Sequence, residues 1–345
     1  MSRAVSLERE PILQVRSLRT SFATSAGIVG AVDGVSFDVR RGEAFGLVGE
    51  SGCGKSATCR SIIRLLPDHA RTEGEVLYGG RNLLAADPAA MRRVRGGEIS
   101  MIFQDPMSAL NPVLRVGDQV AEAVQAHRGG SGRAAMARAL ELFRLVGIPA
   151  PERRLREYPH QFSGGMRQRV LIAIALAGEP EVLLADEPTT ALDVTIQDQI
   201  LKLIVRLQRE LGMSVILVSH DLGVIAQVCQ RVAVMYAGQI IEQGDVGTVL
   251  RAPRHPYTMG LLASLPGLGA RERYLHPIGG APPSLLDPPP GCRFHPRCAF
   301  AVERCREWSP ELLAVGPSHG AACWRQDAIR PEADVTGIGV GQEIA

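Results

Sequence analysis

Apolar positions fall along this chain in short, dense runs. Ala44–Val48 (AFGLV), Val182–Ala185 (VLLA), Ser214–Val218 (SVILV) and Arg231–Tyr236 (RVAVMY) are each a few residues long and nearly all apolar. Such runs read as strands buried on both faces. A further strand is expected over Gly238–Glu242. Between the strands the pattern becomes helical: Ser56–Leu66 reads as a helix stopped by Pro67, and Arg169–Ala177 as a second helical stretch ending before Glu179-Pro180. Strands alternating with helices predict an α/β fold.

The longest apolar run, Val170–Ala177, has eight residues, well short of the roughly 18–20 that a membrane-spanning helix needs. The first residues (MSRAVSLEREP) place charges where a signal peptide has its apolar region. These features predict a soluble, cytoplasmic chain that reaches a membrane only through a partner. Its 345 residues are 46% apolar and 21% charged, a globular composition. Net charge is +2, so charge gives no case for nucleic-acid binding. All but two of the 38 basic residues are arginine; the lysines are Lys55 and Lys202.

Lys55 lies in Gly49-Glu50-Ser51-Gly52-Cys53-Gly54-Lys55-Ser56, which fits G-x-x-x-x-G-K-[ST]. The loop joins the strand at 44–48 to the helix at 56. Glycines let successive N–H groups converge on phosphate oxygens, and the helix dipole adds positive potential. Lys55 would place a compact charge at the β- and γ-phosphates, and Ser56 would ligate Mg²⁺. The second half of such a site is Val182–Glu187, an apolar strand that ends abruptly in two acids. Asp186 would hold Mg²⁺, and Glu187 would orient or deprotonate the attacking water. Together the two pieces predict an NTPase.

Phe162-Ser163-Gly164-Gly165-Met166-Arg167-Gln168 opens the next helix and forms a second anion-binding helix start. At this point the chain resembles the ABC ATPase family, whose signature is close to LSGGQ; Phe162 and Met166 depart from it, while Ser163-Gly164-Gly165 is intact. Gln104, in MIFQDP, resembles that family's Q-loop, which senses the γ-phosphate and faces the transmembrane partner. Asp193, in TALD, resembles the D-loop, and His220 the switch histidine. Phe22 resembles the aromatic that stacks on adenine. The resemblance implies a P-loop ATPase core of the RecA-like type, with an antiparallel β subdomain and a helical subdomain. It also implies that Gln104 contributes at Mg²⁺ and that two cassettes face head to tail. Each ATP is then held between one cassette's P-loop and the other's Ser-Gly-Gly. On this reading Glu187, His220 and Gln104 are the catalytic residues.

Finer likeness narrows the group. Tyr158–Arg169, Met101–Pro112 and His255-Pro-Tyr-Thr258 resemble the ATPase subunits of oligopeptide and dipeptide importers. That resemblance implies a peripheral subunit on the cytoplasmic face of the inner membrane. Its partners would be a paralogous ATPase, two transmembrane permease subunits and an extracytoplasmic binding protein. Nickel and glutathione importers of the same group are the alternative, and a soluble ABC protein is a third reading. The span Asp105–Gln161 is too short for the coiled coils of DNA-repair members. HPYT also reads simply as a helix start.

Beyond residue 245 the composition shifts, and Pro266–Gly291 is proline-rich and extended. Cys292, Cys298, Cys305 and Cys323 follow, spaced C-x5-C-x6-C-x17-C. In a reducing compartment four such cysteines point to zinc or an iron–sulfur cluster rather than disulfides, and the absence of C-x2-C pairs leans toward iron. This extension resembles the cysteine-bearing tail of peptide-importer ATPases, which implies a [4Fe–4S] cluster, with zinc or purely structural thiols as the alternatives. Cys59 and Cys229 read as buried apolar residues. The expected layout is an ATPase domain over 1–245 with its helical subdomain at about 105–165, an extension over 246–325 and a flexible tail over 326–345.

Overall fold

The computed structural model describes residues 10–104, 109–190, 192–264, 278–326 and 329. Two sheets organise it. β1 (Pro11–Thr24) and β2 (Gly27–Arg40) form a long antiparallel pair, joined by β4 (Ala70–Tyr78) and β5 (Arg81–Asn82) in the order β2-β1-β4-β5. The second sheet runs β11-β12-β10-β9-β3-β8-β7-β6. Its members are β3 (Ala44–Val48), β6 (Ile99–Ile102), β7 (Val182–Asp186), β8 (Ser214–Ser219), β9 (Arg231–Tyr236), β10 (Gln239–Asp245), β11 (Leu313–Gly316) and β12 (His319–Ala321). β9, β3, β8, β7 and β6 are mutually parallel.

The continuous apolar runs have a direct cause. On β3, Phe45 and Leu47 face one core with Leu184, Ile216, Val218 and the antiparallel sheet's Leu13 and Val35. Ala44 and Val48 face the opposite core with Leu183, Ala185, Val215 and Leu217. Helices Gly164–Ala175 and Val194–Leu211 cover that second face. Both faces being covered, alternation is lost and every residue of β3, β6, β7 and β8 is buried. The helices Val116–Arg128, Gly132–Leu145 and Pro151–Arg154 form the expected helical layer. Residues 105–108, part of the Q-loop segment, lie outside the described residues.

Three expectations shift. The helix after the phosphate loop is Lys55–Ile62, ending before Leu66. Arg64 adopts a left-handed backbone (φ 53). Its N–H donates to Ser61 O and the Leu65 N–H to Arg60 O, a C-terminal lock that ends the helix without Pro67. The helical stretch expected over Arg169–Ala177 spans Gly164–Ala175, starting at the expected Ser-Gly-Gly helix start, where the Ser163 hydroxyl accepts from the Met166 N–H. The strand expected at 238–242 runs on to Asp245.

The cysteine-bearing extension extends the main sheet rather than standing apart. Its β11–β12 hairpin pairs with β10, with Glu242 opposite Ala321. Glu242 is fully buried. It accepts from the Arg254 N–H (2.6 Å) and the His255 N–H (3.0 Å), and lies 2.7 Å from His319 Nε2. One carboxylate thus ties the sheet, the hairpin and the start of helix Pro256–Ala263 together. Of the expected tail, only Gln326 and Ile329 are described. Among the described residues no helix is long and apolar enough to cross a membrane.

Candidate nucleotide site

Because β3, β8, β7 and β6 run parallel, their carboxyl ends meet at one edge, where ligands of open α/β sheets bind. The loop 49–56 follows β3, Asp186 and Glu187 end β7, His220 follows β8 and Gln104 follows β6. Gly54 sits at φ 105, and a Cβ there would lie 2.2 Å from Ala31 O, so the loop tolerates no side chain at this point.

Lys55, almost wholly buried, donates to Gly49 O (2.7 Å) and Glu50 O (3.0 Å). Its Nζ is 3.8 Å from Glu187 Oε1. Ser56 Oγ donates to Asp186 Oδ1 at 2.8 Å, which joins the helix after β3 to the end of β7. Asp186 is fully buried and, among the described residues, its Oδ2 has no partner. Burial pushes its carboxyl up from the usual range, against the Ser56 hydrogen bond and the Arg60 charge. A buried carboxylate with a free oxygen beside a serine hydroxyl fits Mg²⁺, which would neutralise charge there.

Glu187 is the hub. Its Oε2 accepts from Gln104 Nε2 (3.0 Å) and Thr190 Oγ1 (2.8 Å), and His220 Nδ1 stands 3.6 Å away. Its backbone is left-handed (φ 46), a strain of about 1–3 kcal/mol that the N–H bond to Val218 O at 3.2 Å helps to hold. A carboxylate fixed by three neighbours at the rim of a phosphate cradle is placed to orient a water.

The other predicted residues sit elsewhere. Ser163, Gly164 and Gly165 open their helix against the D-loop: Cβ atoms at Gly164 and Gly165 would lie 3.2 Å from Leu192 and 2.5 Å from Ile196. Asp193 caps the helix Val194–Leu211 by accepting from the Ile196 N–H at 3.0 Å. These contacts tie the Ser-Gly-Gly turn to the D-loop, whereas the phosphate loop group is built around Glu187. Phe22 lies on β1, its ring 6.1 Å from that of His69. The same strand reaches the phosphate-loop helix through Thr20 Oγ1 and Ser61 Oγ, 2.7 Å apart. Cys53 is buried in the loop; burial raises its thiol, and the Lys55 charge opposes this.

Sequence reading missed Thr190, Tyr257 and Arg297. His255 does cap a helix, its Nδ1 accepting from the Tyr257 N–H at 3.0 Å. Tyr257, wholly buried, also accepts from the Glu50 N–H of the phosphate loop at 2.8 Å. Arg297 of the extension pairs with the Glu50 carboxylate. No local pattern carries contacts this distant in sequence.

Cys292, Cys298, Cys305 and Cys323 line one small pocket with His295, Phe294, Phe300 and Trp324. The Arg325 N–H donates to Cys323 Sγ at 3.3 Å. Similar backbone donors from Phe294 and Phe300 face Cys292 and Cys298. Burial pushes the Cys292 thiol to about 11 and Cys323 to about 12. Among the described residues, no group of three or more His, Cys, Asp or Glu side chains is arranged to hold a metal ion.

Comparison with known proteins gives concordant findings. The family described as ABC transporter matches residues 32–190, and the oligopeptide/dipeptide transporter C-terminal region matches residues 241–305. The dipeptide transport ATP-binding protein DppD of Bacillus subtilis (strain 168) is 52% identical over 95% of this chain and 98% of its own. The oligopeptide transport ATP-binding protein OppD of the same organism is 50% identical over 91% and 88%. A dimeric post-hydrolysis state of the ATP-binding cassette MJ0796 bound to ADP and Pi is similar with a TM-score of 0.60, at 30% identity over 68% of this chain and 98% of that one.

Asp186 provides a test with a defined sign. A carboxyl raised in the folded state costs stability that sets in as pH climbs from its unfolded value through its folded one. Asp186→Asn is therefore expected to melt at or above the wild-type temperature at neutral pH without Mg²⁺, while Mg²⁺ ceases to strengthen ATP binding. Thermal melts with ATP, with and without Mg²⁺, check this; a wild-type Mg²⁺ increment in the variant contradicts it.

Proposed function

The chain belongs to the ABC transporter family of ATPases, and we propose that it is the ATP-hydrolysing subunit of a binding-protein-dependent importer of dipeptides and oligopeptides. The observation that carries this reading is the convergence of Lys55, Ser56, Gln104, Asp186, Glu187 and His220 at one sheet edge. The match of residues 241–305 to the peptide-transporter C-terminal region, and the relatives named for dipeptide and oligopeptide transport, support the substrate class.

In this account Phe22 stacks on adenine and the N–H groups of Gly49–Ser56 hold the phosphates. Ser56 and Asp186 hold Mg²⁺, with Gln104 beside them; the ion would neutralise charge between the β- and γ-phosphates. Glu187 orients and deprotonates the water, and His220 and Gln104 report the γ-phosphate. Ser163, Gly164 and Gly165 complete the site of a second cassette, with Asp193 at the seam. The dimeric state of the similar cassette supports a head-to-tail pair. ATP then drives closure because only the closed state makes both sets of contacts.

The family places the subunit with transmembrane permease components at the membrane. We assign the finer arrangement as a heterodimer with a paralogous ATPase on two permease subunits, at the cytoplasmic face and fed by an extracytoplasmic binding protein. Phe103, next to Gln104 in the chain, and Val113 and Leu114 are exposed apolar side chains, which supports permease docking through this part of the chain. We assign an ATPase domain over 1–245 with its helical subdomain at about 105–165, an extension over 246–325 and a tail over 326–345.

For Cys292, Cys298, Cys305 and Cys323 we assign a [4Fe–4S] cluster. Four thiols line one pocket, and the Arg325 N–H donates to Cys323 Sγ, although the four side chains as they stand are not arranged around one metal position. A single zinc would need all four sulfurs about 2.3 Å from one point, whereas a four-iron cluster gives each sulfur its own iron. The cluster would supply cross-links that hold the extension, or an electron-accepting centre.

Two experiments test these assignments. Ser163→Ala, made in this subunit of the assembled importer, is expected to abolish hydrolysis at the partner's P-loop and leave ATP binding at Lys55 intact. Nucleotide-occupancy measurements that show the reverse overturn the head-to-tail arrangement. Anaerobically purified protein is expected to carry about four irons and four acid-labile sulfides per chain, lost on Cys298→Ser. One zinc per chain, or no metal, overturns the cluster.

A further inference from the structure

The phosphate loop is held from outside by the C-terminal extension. Arg297 is 5% exposed and makes a two-pronged pair with Glu50: Nη1 to Oε2 at 2.7 Å and Nη2 to Oε1 at 3.0 Å. Its Nε donates to Gly279 O (2.8 Å), Nη1 also reaches Tyr236 Oη (3.3 Å), and Nη2 also reaches Ile278 O (3.3 Å). Every N–H of the guanidinium is therefore engaged, which fixes its plane and leaves it little freedom. It also stands over the Tyr236 and Phe294 rings.

Glu50 is gripped at its backbone too, through the N–H bond to Tyr257 at 2.8 Å. Its carbonyl in turn accepts from Lys55 Nζ at 3.0 Å. A second strut runs through Arg293. It bonds Ala237 O and Asp33, while the neighbouring Gly238 N–H donates to Cys53 O of the phosphate loop at 2.9 Å. Both arginines lie between the first two cysteines, in Cys292-Arg293-Phe294-His295-Pro296-Arg297-Cys298. Phe294, buried against Tyr236 and Tyr257, anchors the segment between them.

We infer that Arg297, with Tyr257 and Arg293, positions the phosphate loop, so that the state of the four-cysteine site sets the affinity for ATP. This rests on the reading of 49–56 as the ATP site. Lys55 and the contacts of Cys53 and Gly54 hold one part of the loop, while the Glu50 corner is held by Arg297 and Tyr257; N–H groups bind phosphate well only if they already point at it. The extension supplies that order through the Glu50 side chain and backbone N–H. Whatever fixes Cys292 and Cys298 fixes the two arginines between them; opening the cysteine site frees the segment and lets the loop relax. Arg297 touches no substrate and is a positioning residue.

The test is fluorescent-ATP binding to the full chain, prepared without oxygen, with unlabelled ATP as competitor and thermal melts as a folding control. Arg297→Gln is expected to weaken binding about tenfold, the size associated with breaking a buried charge-assisted pair. Arg297→Lys should recover part of the loss. In a Glu50→Gln background, Arg297→Gln should add little further loss, a coupling that general loosening of the fold does not produce. Cys298→Ser should also weaken ATP binding, and this loss should shrink in the Arg297→Gln background. Wild-type affinity in Arg297→Gln, or losses that simply add in either pair, overturns the inference while leaving the ATPase reading intact. Failure of the wild-type chain to bind ATP overturns that reading instead.

Discussion

The parallel register of β3, β8, β7 and β6 is the constraint on which the rest depends. Parallel neighbours put all their carboxyl ends on one edge, so loops distant in sequence arrive together. Val48 lies beside Ser219, Val218 beside Asp186, and Ala185 beside Ile102. Each strand therefore delivers a different group to that edge: the loop at 49–56, His220, Asp186 with Glu187, and Gln104. Such a sheet needs cover on both faces, and its residues are buried on both. A charged substitution within β3 or β7 would disturb the alignment of the site as well as the core.

Charge is managed by the same geometry. Asp186 is driven into the interior by its strand and kept from full satisfaction, which prepares it for a cation. Glu187, one residue on, turns outward through a left-handed backbone and meets Gln104, Thr190 and His220. Adjacent carboxylates thus take opposite environments and separate tasks. The extension adds a third layer of control, because its arginines hold the loop that the sheet presents. Glu242, buried at the junction, joins the extension to the sheet that carries the site.

Much of this was legible in the sequence because its causes are local. AFGLV, VLLA, SVILV and RVAVMY announced buried strands, and the glycines around Lys55 announced the phosphate loop. Ser163 was legible as a helix start, since a serine before two glycines satisfies N–H groups of its own turn. What escaped was non-local or conformational. The helix after Lys55 ends at Ile62 because Arg64 adopts a left-handed conformation, which its residue type does not advertise. Tyr257 and Arg297 reach Glu50 across more than two hundred positions, through packing that no periodicity encodes. The hairpin β11–β12 was equally hidden, since its strands are short and gain their place by pairing with β10.

The central claim is that the edge of the parallel sheet is a hydrolytic site with Glu187 at its hub. The most direct measurement is ATP binding and ATP turnover in the assembled importer, comparing wild type with Glu187→Gln in this subunit. Gln keeps the shape of the side chain and removes its basicity. The account predicts ATP affinity close to wild type, with hydrolysis at this subunit's site lowered by about a hundredfold or more, the usual reach of a general base. Turnover at that site near the wild-type rate would contradict it.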